Sequence, residues 1–191
     1  MLDHFDLIAS FYDRLIGPPD TGRLRDLLKL PTEGWMLDSG GGTGRVSARL
    51  SSQVSHLVVS DLSHRMLKKA CEKNIWPVQA HAEKLPFGDA RFERVLVVDA
   101  LHHFCNQREA IRDLLRVLKP GGRLVIEEPD YRHKGVKLIA LAEKFTLMRS
   151  RFHSPQAIRD MIHAAGMKAR IQTDGRYTAW IIADKNSGNL R

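Results

Sequence analysis

In Trp35-Met36-Leu37-Asp38-Ser39-Gly40-Gly41-Gly42-Thr43-Gly44, three apolar residues run into an aspartate and then into four glycines within five positions. A short apolar run closed by turn residues predicts a buried strand. Val46, Ala48 and Leu50 follow at a spacing that predicts a helix directly behind the loop. Glycines let the backbone turn tightly and approach a ligand with no Cβ in the way. A helix starting behind them presents unpaired N–H groups and the positive end of its dipole, which suit an anionic group. A bare structural turn needs one or two glycines, so four point to a ligand.

Spacing separates the candidate ligands. The phosphate loop GxxxxGK[ST] is absent, because Arg45-Val46 follows the last glycine. The dinucleotide pattern GxGxxG fails because, with Gly40 and Gly42 as its first two glycines, Arg45 stands where the third belongs. What remains is D-x-G-x-G-x-G, which suits a cofactor with a carboxylate and a ribose but no pyrophosphate. Asp61 closes the next apolar run, His56-Leu57-Val58-Val59-Ser60. An acidic residue at that strand end accepts hydrogen bonds from ribose hydroxyls, and it also suits the start of the helix after Ser63.

Working outward, strands and helices alternate. Ser63 is placed to cap a helix carrying Met66, Leu67 and Ala70. Val78 marks a third strand and Val95–Val98 a fourth. Asn106 with Glu109 resembles a capping box before Ile111, Leu114 and Leu115. Lys119-Pro120-Gly121-Gly122 stops that helix, and Leu124–Ile126 is a fifth strand. Continuously apolar strands predict a parallel sheet covered on both faces. Ser154-Pro155 opens a further helix that Gly166 ends, and strands over 168–173 and 177–183 join through Asp174-Gly175. That hairpin is expected to extend the sheet, with 177–183 antiparallel and inside it. Before the loop, Phe5, Ile8, Tyr12 and Leu15 predict an amphipathic helix, and Leu24, Leu27 and Leu28 a second; 136–152 predicts a long one. The fold class is α/β, doubly wound and Rossmann-like.

Composition narrows the classes. With 191 residues, 43% hydrophobic and 27% charged, the chain is an ordinary globular one of about a single domain's length. No stretch approaches the ~20 apolar residues of a membrane span, and Asp3 and Asp6 argue against a secretion signal. Cys71 and Cys105 lack CxxC spacing and read as reduced thiols of a cytoplasmic protein. The net charge of +8 divides into +1 over residues 1–118 and +7 over 119–191. A basic final third suits an acidic partner, nucleic acid or a membrane surface, and equally a solvated face.

The run from Met36 to Gly44 resembles motif I of the class I S-adenosylmethionine-dependent methyltransferases. Asp61-Leu62-Ser63 with Met66 is similar to the ribose motif that follows. The segment 79–89 resembles the one closing over adenine, and Val98–Phe104 and Leu118–Gly122 resemble the motifs of the fourth and fifth strands. Gly41–Gly44 and Ala82-Glu83-Lys84-Leu85-Pro86-Phe87 look most like the ubiquinone/menaquinone-biosynthesis methyltransferases, whose cofactor lid Phe5-Asp6 and Tyr12-Asp13 resemble.

The resemblance implies a mostly parallel seven-stranded sheet with one antiparallel strand, in a single domain over 1–191. It divides into a helical lid (1–30), a cofactor-binding core (31–130), a helical cap (131–166) and a closing hairpin (167–185). It also implies S-adenosylmethionine as cofactor, with S-adenosylhomocysteine as product. Gly40, Gly42 and Thr43 would then hold the methionine end, Asp61 the ribose, His81 and Ala82 the adenine edge, and Asp99 the region beside the sulfonium, with Asp38 and Leu62 also among the cofactor-binding residues. Tyr12 would lay its ring over the cofactor. His81 departs from the Asp or Asn usual at its position, and only a neutral imidazole accepts the adenine amino hydrogen bond there.

Methyl transfer from a sulfonium is a displacement in which positioning supplies much of the catalysis. A base is needed only where the nucleophile must lose a proton, and the strand-end candidates are His102 and Glu127, beside Asp99, Glu128, Asp130 and Tyr131. One of the adjacent glutamates is expected to face the pocket and the other a cation. Adjacent His102-His103 seldom converge on one ion, and HExxH is absent, so no metal is expected. The leading expectation is a methyltransferase acting on a small-molecule acceptor with a quinone-like or phenolic ring. Arg132, His133, Lys134, Arg149, Arg151 and His153 in the cap suggest an anionic one. The alternatives are a nucleic-acid (RNA) methyltransferase, which the Asp99-Ala100-Leu101-His102 strand end disfavours, and a non-catalytic cofactor-binding regulator.

Overall fold

A computed structural model describes residues 21–130, 151–175 and 177–187. The first helix and Tyr12, the segment 131–150 with its expected long helix, and Arg132, His133, Lys134 and Arg149 lie outside the described residues. The elements run α1 (Thr21–Leu28), β1 (Thr32–Ser39), a 3-10 turn (Ser47–Gln53), β2 (Val54–Asp61), α2 (His64–Cys71), β3 (Trp76–Gln79) and β4 (Phe92–Val98). A second 3-10 turn (Leu101–His103), α3 (Gln107–Val117), β5 (Leu118–Pro129), α4 (Pro155–Ala164), β6 (Ala169–Thr173) and β7 (Thr178–Asp184) complete them.

The strands form one seven-stranded sheet in the order β3-β2-β1-β4-β5-β7-β6. β1 to β5 are parallel, and β7 is antiparallel to both β5 and β6. The alternation of side chains along β7 shows why it lies inside the sheet. Ile181 and Ala183 join the core on the α3–α4 face, and Trp180 and Ile182 join the core on the α1–α2 face, all nearly or fully buried. A strand apolar on both faces is stable only with neighbours on both sides and cover above and below. The turn before it forms as expected: Gly175 has φ +73°, and Asp174 Oδ1 accepts from the backbone N–H groups of Tyr177 and Thr178.

The expected helix caps are present. Ser63, Asn106 and Ser154 each accept, through the side chain, the N–H of the residue three positions on. Asn106 makes only half a capping box, because its own N–H goes to Glu83 Oε1 at 2.9 Å instead of to Glu109. Two local readings differ from the structure. The helix expected behind the glycine loop is a 3-10 turn of seven residues. Ser51 Oγ donates to the Ala48 carbonyl at 2.8 Å, and such local bonds compete with regular helix. β5 begins at Leu118, well before Leu124, because Leu118 already pairs with Phe92 and the glycine turn between Leu118 and Leu124 is held to Lys185 by backbone bonds at Gly121 and Gly122.

Candidate active site

The carboxyl ends of β1, β2 and β4 open into one cleft of about 1080 Å³, including its solvent-open part. That is the place expected of a ligand crevice in an open α/β sheet. Its floor is the glycine loop. Gly40, Gly42 and Gly44 adopt φ of +72°, +54° and +68°, a region that side-chain-bearing residues enter at a cost. A Cβ added at Gly42 would meet only Asp61 Oδ2, at 3.9 Å, so the space above that residue is an open cradle. Thr43 is buried in the floor, and its carbonyl accepts from Lys73 Nζ at 2.8 Å.

Asp38 lies beneath the loop with 1% of its surface exposed, and its Oδ1 has no hydrogen-bond partner. Burial pushes its carboxyl up to about 7; the nearby Ser47 hydroxyl and Arg45 pull the other way, and Asp61 adds repulsion. Asp61 is spoken for on both oxygens: Oδ2 accepts from Gly42 N at 2.9 Å and Oδ1 from Ser63 N at 2.8 Å. It therefore ties the loop to the start of α2 and still borders the cleft.

A raised carboxyl pKa makes the native state bind a proton that the unfolded chain, near 3.8, has already released. Stability should thus fall as pH rises from about 4 to about 7 and level off above that. Between pH 6 and pH 8 the loss from this group is roughly 1–1.5 kcal/mol. Asp38→Asn should remove that slope, a result readable as wild-type and variant melting temperatures converging at low pH and separating at pH 8 in favour of the variant.

The opposite wall follows β4. Asp99 takes φ +51° and donates its N–H to the Glu127 carbonyl. Its side chain opens onto the cleft, and the surrounding walls, through desolvation, raise its carboxyl pKa. His103, Phe104 and Cys105 continue this wall. Burial, with His102 adding to it, pushes the His103 imidazole down to about 3, so it is neutral. At the far end Ala80, Ala82 and Glu83 line the cleft. His81 does not; its side chain is 64% exposed and lies 3.8 Å from Glu83. Leu62 lines the cleft and is 43% exposed.

The two candidate bases are placed elsewhere. His102 is 3% exposed, with Nδ1 2.6 Å from Glu128 Oε2 and its ring stacked on Phe152. Glu127 Oε2 accepts from Trp180 Nε1 at 2.6 Å. Neither lines the cleft, and Glu128, the other of the two adjacent glutamates, does not line it either. The reason is steric. On this short 3-10 turn the two rings lie against each other, centroids 4.0 Å apart, with His102 on the buried side and His103 on the cleft side. The sequence presents Glu128 only as a possible base and gives Glu83 no role of its own; both accept backbone N–H groups far along the chain, and Arg45 joins the lining of the cleft. Arg151 and His153 do not line the cleft.

Residues 37–126 match the family model described as a methyltransferase domain. This stretch is a methyltransferase domain. The chain is 40% identical over 142 residues to the ubiquinone/menaquinone biosynthesis C-methyltransferase UbiE of Pseudomonas fluorescens, and 43% identical over 104 residues to that of Pseudomonas putida. Those matches cover 65% and 49% of this chain and 56% and 41% of the relatives, so the chain spans about half the length of the curated relatives it matches. Around the methyltransferase domain the whole fold recurs in solved structures. A S-adenosylmethionine-dependent methyltransferase of Thermotoga maritima superposes with a TM-score of 0.79 at 21% identity, over 95% of this chain and 98% of that one. The [4+2]-cyclase SpnF superposes with 0.80 at 18% identity, over 96% and 95%. At such identities the likeness is one of fold, and the cyclase shows that the fold alone does not fix the reaction.

Proposed function

We propose that the chain binds S-adenosylmethionine in this cleft and transfers its methyl group to a small-molecule acceptor carrying a quinone-like or phenolic ring. One observation carries the cofactor reading. The cleft that holds the open cradle at Gly42 is lined by Asp38, Asp61, Glu83 and Asp99, against which Arg45 is the single guanidinium among the described lining residues. A wall so rich in carboxylates repels a pyrophosphate and attracts a ligand carrying a sulfonium and an ammonium. The unpartnered Asp38 Oδ1 beneath the loop fits the same ligand, since it lacks a donor that an ammonium supplies.

The bound cofactor supplies an electrophilic methyl group on a sulfonium. The chain's own part is to hold and orient. Gly40, Gly42 and Thr43 would take the methionine end, Asp61 the ribose through lone pairs left over from its two backbone bonds, and Ala82 with the 80–83 segment the adenine edge. Asp99 would set negative charge beside the sulfonium. His103, neutral down to about pH 3, is too weak a base to take a proton efficiently at neutral pH. Its suitable role is to hydrogen-bond the acceptor while the walls fix the attack direction. The ring acceptor is supported by the names of the Pseudomonas relatives, which are quinone-pathway C-methyltransferases.

Titration calorimetry tests the cofactor. S-adenosylmethionine and S-adenosylhomocysteine should bind, and a nicotinamide dinucleotide should bind at least about tenfold more weakly, a difference of some 1.4 kcal/mol. Equal affinity for the dinucleotide would overturn the reading. Turnover is a separate question, answered by release of S-adenosylhomocysteine with quinol and phenol acceptors. Tight binding with no release on any of them would favour a regulator over an enzyme.

A further inference from the structure

We propose that the buried Glu128–His102 pair is the positioning element of the cleft's β4 wall, holding the turn that presses on the glycine loop. The inference rests on the cofactor reading above. Glu128 is 4% exposed and reaches back from β5 under the end of β4. Its Oε1 accepts two backbone N–H groups, from Ala100 at 3.0 Å and from Leu101 at 2.7 Å. Its Oε2 faces His102 Nδ1 at 2.6 Å. Against an ionised Glu128, which only accepts, the proton of that bond sits on Nδ1.

The turn so held is a 3-10 turn of only three residues. It starts at the left-handed Asp99 and closes with two 3-10 bonds, His103 N to the Ala100 carbonyl and Phe104 N to that of Leu101. Without the carboxylate, the N–H groups of Ala100 and Leu101 would be buried without these partners, at a cost that a shift of the turn would relieve. Such a shift reaches the cofactor floor at once. Ala100 and Phe104 stand so close to Gly40 that a Cβ there would lie 2.6 Å from Ala100 Cβ and 3.1 Å from the Phe104 ring. The same pair also anchors the chain returning after residue 150. Phe152 stacks on the His102 ring at 4.2 Å, Arg151 N donates to the His102 carbonyl, and Gln107 Nε2 donates to the Arg151 carbonyl. One buried carboxylate thereby sets the cleft wall, the spacing of wall to glycine loop, and the seat of the 151–154 segment.

The test measures affinity for S-adenosylhomocysteine, which needs no turnover, beside melting temperature, amide hydrogen exchange at Ala100 and Leu101, and the low-field His102 Nδ1–H resonance. Glu128→Ala is expected to speed exchange at both amides and to weaken binding roughly tenfold or more. Glu128→Gln can keep the two backbone bonds through its amide oxygen. It should spare most of the exchange protection, lose the low-field resonance and weaken binding only about three- to tenfold, which keeps the test open should Glu128→Ala not fold. A lower melting temperature with wild-type affinity in either folded variant would show a merely structural carboxylate and overturn the proposal. Failure of the wild-type protein itself to bind S-adenosylhomocysteine would instead overturn the cofactor reading and this inference with it.

Discussion

Gly40→Ala is expected to lower stability by roughly 2–5 kcal/mol and to weaken S-adenosylhomocysteine binding by about a hundredfold. Two penalties add at this position. The backbone stands at φ +72°, where an L-residue carries a steric cost of its own. The new methyl group would also lie 2.6 Å from Ala100 Cβ and against Phe104, neither of which can give way without moving the β4 wall. The comparison that isolates the second penalty is Gly42→Ala. That glycine has φ +54° but open space above it, so its substitution should cost only the backbone strain, about 1–2 kcal/mol. Its methyl group would nevertheless stand in the cradle, and binding should weaken there too. Chemical denaturation and calorimetry on the two variants separate the effects. Equal stability loss in both would mean that the contact between loop and wall carries no energy.

That contact also marks the boundary of what the sequence makes legible. Buried parallel strands announce themselves locally, as uninterrupted apolar runs such as Leu57-Val58-Val59 and Val95-Leu96-Val97, each 0–8% exposed in the structure. β7 is legible for the same reason, its two faces being equally apolar, and a strand of that kind cannot lie at an edge. Caps are legible because donor and acceptor lie three residues apart. The parts that escaped reading depend on distance along the chain. Glu128 bonds to N–H groups 27 and 28 residues away, and Glu83 to one 23 residues away. A carboxylate that accepts backbone N–H groups leaves no periodic trace, and in a sequence it looks like any acidic residue at a strand end. His102 and His103 show the same limit at short range. Both have the chemistry of a base, and only the path of the 3-10 turn decides which one meets the cleft. The glycine loop is legible as the turn that ends β1, but the short 3-10 form of the helix behind it is not, because the Ser51 side chain bonds locally to the Ala48 carbonyl.

Asp61→Ala is expected to weaken cofactor binding by roughly 1.5–3 kcal/mol, about ten- to a hundred-and-fiftyfold. The carboxylate has two structural partners, Gly42 N and Ser63 N, so its removal loosens the loop and the start of α2 before any ligand arrives. The proposed ribose contact would be a third role for the same two oxygens, which between them still have lone pairs to offer. Asp61→Asn distinguishes these roles. Its amide oxygen can replace one acceptor, while its NH₂ faces an N–H it cannot accept from, so one backbone bond and the negative charge are lost together. If the ribose contact is real, Asn should recover part of the stability lost in Ala but little of the affinity, because ribose hydroxyls then meet a weaker, neutral acceptor. If Asp61 only ties Gly42 to Ser63, affinity and stability should move in proportion across the two variants. Paired calorimetric and denaturation curves for wild type, Asn and Ala decide between the two, and a stability loss in Ala with unchanged affinity would remove Asp61 from the cofactor site altogether.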